Sequence, residues 1–192
     1  MSLPINREQA LELLKKYISQ KQNLFHCLES EAIMRELARK LNEDEDYWGM
    51  LGLLHDIDWE VSPNEKHLEK APEILKESGF DEEFISTIIS HGYGFKELPN
   101  LKDKKRTEKV QFALAAAETI TGLIYAYALM RGKRISDMKV KGLKKKFKDK
   151  TFASGCSREV IKECENLGLS SDESLETSIE GIKKIKDDLG LE

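Results

Sequence analysis

The chain has four histidines, His26, His55, His67 and His91, all in its first half, and His55 is followed directly by Asp56 in the polar run HDIDWE. Neutral imidazole nitrogen and carboxylate oxygen are donors that zinc, iron, manganese and similar ions accept, and a neighbouring His-Asp pair offers one of each. Singly, each histidine reads more readily as a hydrogen-bonded core or surface residue, and an HD dipeptide arises often by chance. A further carboxylate is conspicuous: Glu118 is the single charged residue in the run VQFALAAAETITGLIYAYALM. Burying a charge is costly unless it is compensated, so Glu118 must face something that offsets its burial. Cys27, Cys156 and Cys164 are odd in number and form no C-x-x-C pair, which argues against a disulfide framework or a thiolate zinc site. They read as reduced thiols in ordinary packing.

The elements that must position these groups are helices. Apolar residues recur at three- and four-residue spacing almost throughout, and no stretch alternates in the manner of a strand. The fold class is therefore all-α. Helices are expected over about Arg7 to Ser19, with Asn6 and Gln9 as a capping box, Phe25 to Leu41, and Asp44 to Asp56. A loop containing Pro63 and Asn64 follows. His67 to Ser78, closed by Gly79, and a short helix capped by Asp81 and ending at His91-Gly92 come next. A long helix from Thr107 to about Met130 precedes three shorter ones, Ser136 to Lys148, Arg158 to Leu167 and Ser171 to Leu189, the last with Ser170 and Glu173 as a capping box. This reading puts each histidine at a helix end. The long apolar helix has the length of a membrane span. It reads instead as the central helix of a bundle, being solitary, carrying Glu118 at its middle and belonging to a chain of mean hydropathy −0.51.

Read together, the histidines and carboxylates resemble the ordered H…HD…H…H…D signature of the HD superfamily of metal-dependent phosphohydrolases, in its two-metal branch. LLHDIDWE looks like that family's HDIG-type segment, HLEKAPEIL is similar to its H-x-x-x-G/A-x-x-IL helix, and ALAAAETITGLI resembles its AAD-x-LTGLI helix. KKKFKDKTFASGCSRE resembles a segment that follows the core in a bacterial and archaeal subgroup. There are two departures: Asp58 stands where many relatives have glycine, and Glu118 replaces the final aspartate, its extra methylene shifting the ligating oxygen.

The resemblance implies one helical-bundle domain, with an HD core over 1–130 and a helical extension over 131–192 packed on it. It implies one or two divalent ions (Mn, Fe, Zn, Ni, Co or Mg). His26, His55, Asp56 and Glu118 would hold one; His67 and His91, with a bridging Asp56, the other. It further implies hydrolysis of a small phosphate ester, a nucleotide among the candidates, by a metal-activated water. Asp56 and Asp58 would be the catalytic carboxylates, with Asp58, Glu60 or water as proton donor to the leaving group. Lys145, Lys146, Lys148 and Arg158 are candidates for steadying substrate phosphate, because cationic donors suit that charge. Two alternatives share the fold: a di-iron oxygenase, and a catalytically lapsed ligand-binding or regulatory protein.

Composition bounds the partners. Of 192 residues 40% are hydrophobic and 34% charged, which suits one well-buried core. Residues 131–150 hold ten Lys or Arg against Asp137 and Asp149, a balance of +8 within a net charge of −4, so the remainder carries −12. With only Phe147 and Phe152 near it, both at core spacing, the basic stretch reads as a solvated helix face, not a nucleic-acid surface. MSLPINREQALELL lacks the pattern of a secretion signal, so no membrane association and a cytoplasmic location are the expectations.

Overall fold

Helices form where the caps and periodicities demand, and the computed structural model, which describes residues 3–62 and 64–192, is all-helical. Met1, Ser2 and Pro63 lie outside the described residues. The α-helices are α1 (Arg7–Tyr17), α2 (Lys21–Leu41), α3 (Glu45–Leu54), α4 (Ala71–Glu77), α5 (Glu82–Ser90), α6 (Lys109–Met130), α7 (Val140–Lys148), α8 (Arg158–Ile161), α9 (Ser171–Lys184) and α10 (Lys186–Leu189). The Asn6–Gln9 and Ser170–Glu173 capping boxes form, Asp81 caps α5, and Gly79 takes a left-handed φ of +88° after α4.

Three boundaries differ from the sequence expectation, each through a partner distant in the chain. Helix α2 begins at Lys21, not near Phe25, so His26 lies in its second turn and not at its end. Its start is capped from far away: the Glu60 carboxylate accepts the Ser19 and Gln20 N–H groups at 3.0 and 2.9 Å. Helix α4 begins at Ala71, not at His67, which sits in an irregular link where Leu68 has φ +71°. There the Asp58 carboxylate accepts the N–H groups of Lys70 and Ala71 at 3.1 and 3.2 Å. Ahead of α7, Ile135 and Ser136 donate their N–H groups to the Glu192 carbonyl, and the helix begins only at Val140. The expected helices Arg158 to Leu167 and Ser171 to Leu189 are each divided: α8 continues as a 3-10 helix (Lys162–Leu167), and the second breaks at Ile185 between α9 and α10.

Helix α6 runs through the middle, mostly buried, with α2, α3, α5, α7 and α8 packed around it, and α9 lies along α2. Two glycines allow helix backbones to approach closely. A Cβ at Gly52 of α3 would stand 2.6 Å from the Ser30 carbonyl oxygen of α2, and one at Gly181 of α9 would stand 2.9 Å from the Ala32 carbonyl oxygen. Backbone meets backbone at both points, so α2 is held on one side by α3 and on the other by the extension. Cys27 and Cys164 are buried free thiols and Cys156 is half-buried.

Candidate metal centre

The chain reverses direction just after α3, and this turn aims His55 and Asp56 at residues from α2, α5, α6 and the link before α4. The four imidazoles meet through Nε2: His26 Nε2 lies 3.0 Å from His55 Nε2, and His67 Nε2 lies 3.1 Å from His91 Nε2. Asp56 stands between the two pairs. Its Oδ1 is 3.2, 3.4 and 3.4 Å from Nε2 of His67, His91 and His55, and its Oδ2 is 3.5 Å from Nε2 of His26. Glu118 Oε2 closes the His26 side at 4.0 Å, while its Oε1 takes a short hydrogen bond from the Thr119 hydroxyl. Two groups result, His26–His55–Glu118 and Asp56–His67–His91, with donor atoms in each within 4.8 Å of one another.

The opposite ring nitrogens show what the Nε2 atoms can accept. His55 Nδ1 donates to the Gly52 carbonyl at 2.9 Å and His91 Nδ1 to the Ile88 carbonyl at 2.8 Å. His26 Nδ1 donates to the Thr121 hydroxyl at 2.8 Å, whose own hydrogen goes to the Glu118 carbonyl. A neutral imidazole carries one N–H, so the Nε2 atoms of His26 and His55 face each other as lone pairs. Burial keeps both neutral, pushing His26 down and His55 down to about 3. Two lone pairs at 3.0 Å repel unless a cation lies between them, and the donor set of imidazoles and carboxylates fits a divalent ion.

The charged groups point the same way. Burial alone would lower His67, but carboxylates at both its nitrogens, Asp56 and Asp58, lift it to about 9. Burial would raise Asp56, yet His55, His67 and His91 hold it well below the usual carboxylate range. Burial pushes Glu118 up to about 8, and Asp56 adds to this against the Thr119 hydroxyl and the positive charge of Arg106.

A cavity of about 460 Å³ opens onto the Nε2 atoms, lined by Asn23, Trp59, Phe95, Glu97 and Leu98 beside the candidate ligands. The Trp59 indole is 37% exposed and stands edge-on to His67, with ring centroids 4.9 Å apart. A second cavity of about 450 Å³ is also lined by His26, Phe95, Glu97 and Glu118, and reaches the extension at Gly155, Cys156 and Ser157. Another hollow of about 460 Å³, between the N-terminal residues and Arg35, has no such donor set, and its Arg35 is paired with Glu31 and Asp46.

Several sequence-expected roles require correction. Asp58 is fully buried, its Oδ2 taken by the start of α4 and its Oδ1 3.1 Å from His67 Nδ1, so it orients a histidine and is not a catalytic carboxylate at a substrate entrance. Neither that oxygen nor that nitrogen makes a well-aligned hydrogen bond, so the two are held to each other as an ion pair. Glu60 is no proton donor: against the effect of burial, the Ser19 and Gln20 N–H groups, the Ser19 hydroxyl and the Asn23 amide hold it down to about 2. Arg158 is buried and spends its guanidinium on six carbonyls, those of Lys146, Phe147, Asp149, Phe152, Ala153 and Cys156, at 2.5 to 3.3 Å. It builds a loop and has no donor left for substrate. Lys145 and Lys148 are exposed on α7 and Lys146 lies over the Phe152 ring; among the described residues no ion pair joins these lysines to the cluster.

Sequence reasoning missed Arg106. It ends the charged run KDKKR, read as loop before the long helix, yet its side chain is 5% exposed. Nη1 donates to the carbonyls of Ser90, His91 and Tyr93 at 2.8, 3.1 and 2.9 Å, capping the end of α5. Nε and Nη2 form a two-pronged pair with Glu163 at 2.5 and 2.8 Å. No local pattern marks it, because its partners lie 13 to 57 residues away.

Among known protein families, the HD domain model matches residues 23–123, a span that contains all six candidate ligands. No curated protein and no solved structure matches the chain.

Proposed function

From a chain that belongs to the HD-domain family, a family of metal-dependent phosphohydrolases, we propose a phosphohydrolase that uses two divalent ions to cleave a small phosphate ester, with nucleotides first among the substrates to test. His26, His55 and Glu118 would hold one ion and Asp56, His67 and His91 the other, Asp56 lying against both. The observation that carries the reading is the facing of lone pairs at 3.0 Å between His26 and His55, both neutral and both fixed through Nδ1.

Ions bound there would supply Lewis acidity, drawing electrons from a phosphoryl oxygen and making a water acidic enough to lose its proton near neutral pH. The protein's own part is orientation and exclusion. Asp56 fixes the spacing of the two groups, Asp58 fixes the His67 ring, and the turn HDIDWE sets both at once. Trp59, Phe95 and Leu98 give the ester's organic arm an apolar wall, which keeps bulk water from the reacting phosphorus. With Asp58 and Glu60 committed elsewhere, water is the source of the proton for the departing alkoxide.

The test is elemental analysis of protein purified without chelator, beside hydrolysis of a general phosphodiester and a nucleotide panel with added manganese. We expect about two metal ions per chain, and loss of both metal and hydrolysis in His55→Ala and Glu118→Ala. Two irons with oxygen consumption and no hydrolysis would make the protein an oxygenase of the same fold. No metal under any loading condition would leave a binding or regulatory role.

A further inference from the structure

The extension lies beyond the matched span, yet it touches the metal centre through one ion pair. We propose that Arg106 and Glu163 form a positioning pair by which the extension sets the geometry of the Asp56–His67–His91 group. The proposal rests on the metal-binding reading above.

His91 is the last residue to reach the centre before a long irregular segment, 92–106, and the end of α5 is where a helix leaves its carbonyls unpaired. One nitrogen of Arg106 gathers the carbonyl of Ser90, the last residue of α5, and those of His91 and Tyr93 just beyond it. It thereby fixes the backbone on both sides of His91, whose ring is tied to the same turn through the Ile88 carbonyl. A single nitrogen bonded to three carbonyls holds its place only if the rest of the guanidinium is anchored. Glu163 is that anchor, bonding the other two nitrogens in the planar, two-point geometry that an arginine and a carboxylate adopt. The 3-10 helix bearing Glu163 packs against α6, which carries Glu118. A shift of the extension is therefore transmitted to His91 through an almost rigid link, with the guanidinium buried and shielded from solvent.

Glu163→Gln keeps the shape of the side chain and removes its charge; Glu163→Asp keeps the charge and shortens the reach. The readouts are metal stoichiometry and affinity by competition titration, and the 15N shifts of the His91 ring in metal-free protein. Glu163→Gln should bind one of its two ions about tenfold more weakly, leave the other unchanged, and broaden or move the His91 resonances alone among the histidines. Glu163→Asp should recover part of the affinity. Arg106→Lys should show the larger loss, and if it does not fold, the glutamate variants decide. Wild-type affinity for both ions and an unmoved His91 ring in Glu163→Gln, even with lowered thermal stability, would overturn the proposal and reduce the pair to a structural tie. If the wild type binds no metal, the two-metal reading fails, and the His91 ring alone then judges the pair.

Discussion

Asp58 and Glu60 lie two and four residues beyond Asp56, and neither carboxylate faces the cavity chemistry that its neighbourhood suggests. Each caps a helix that carries or follows a candidate ligand: Glu60 the start of α2, which bears His26, and Asp58 the start of α4, just after His67. The six-residue run HDIDWE thus holds two candidate ligands and positions two others. This separates the two carboxylates experimentally. Asp58→Asn removes the charge behind His67 and should weaken metal binding roughly 10- to 100-fold in a competition titration, the usual loss for a group that orients a ligating histidine. Glu60→Gln should lower stability by about 1 kcal/mol through its caps, with metal content intact and an unchanged pH–rate profile. A profile that loses its acid limb in Glu60→Gln would restore Glu60 as the proton donor. The convergence of the six candidate ligands was legible because their residue types and order are distinctive. The roles of Asp58 and Glu60 were not, because a cap supplied from 12 or 40 residues away leaves no local pattern.

At the scale of elements, the spacing of α2 against α3 governs the first candidate metal group, since His26 rides on one and His55 follows the other. Their contact is set by Gly52, whose carbonyl also receives the His55 Nδ1–H. Gly52→Ala would place a methyl group 2.6 Å from the Ser30 carbonyl oxygen and 2.8 Å from the Glu31 nitrogen, and neither backbone atom can turn aside. The helices must part by several tenths of an ångström, separating the two Nε2 atoms. We expect about 1–3 kcal/mol of destabilisation in urea melts together with weakened metal binding, whereas unchanged metal affinity would show that the turn after α3 absorbs the shift by itself. Helix existence and type were readable from apolar periodicity and caps, Asn6, Asp81 and Ser170 among them. Helix starts at Lys21, Ala71 and Val140 were not, because tertiary bonds select them.

Across the whole molecule, the extension meets the core at Gly181 against α2 and at Glu163 on Arg106, and closes on itself where the Glu192 carbonyl accepts the N–H groups of Ile135 and Ser136. Arg158, which looked from its charge like a phosphate binder, ties the loop at 146–156 to itself instead, and only burial reveals this. Global stability should carry the mark of one further buried group. Glu29 of α2 is 3% exposed, its Oε1 has no hydrogen-bond partner, and burial pushes its carboxyl up to about 8 from the ordinary 4.5. Between these two values the folded chain keeps a proton that the unfolded chain has lost. The contribution of Glu29 is thus fully present below about pH 4.5 and is lost as the pH rises through about 8. The loss is on the order of 5 kcal/mol. Glu29→Gln, neutral at every pH, should remove this slope: in urea melts the wild type and the variant should be of similar stability at low pH, and the variant should be the more stable above about pH 8. Other titrating groups act on both proteins alike, so the difference between their curves isolates Glu29. A difference that stays constant from pH 5 to 9 would mean that this carboxyl is ionised in the fold and has found a cation or water to hold it.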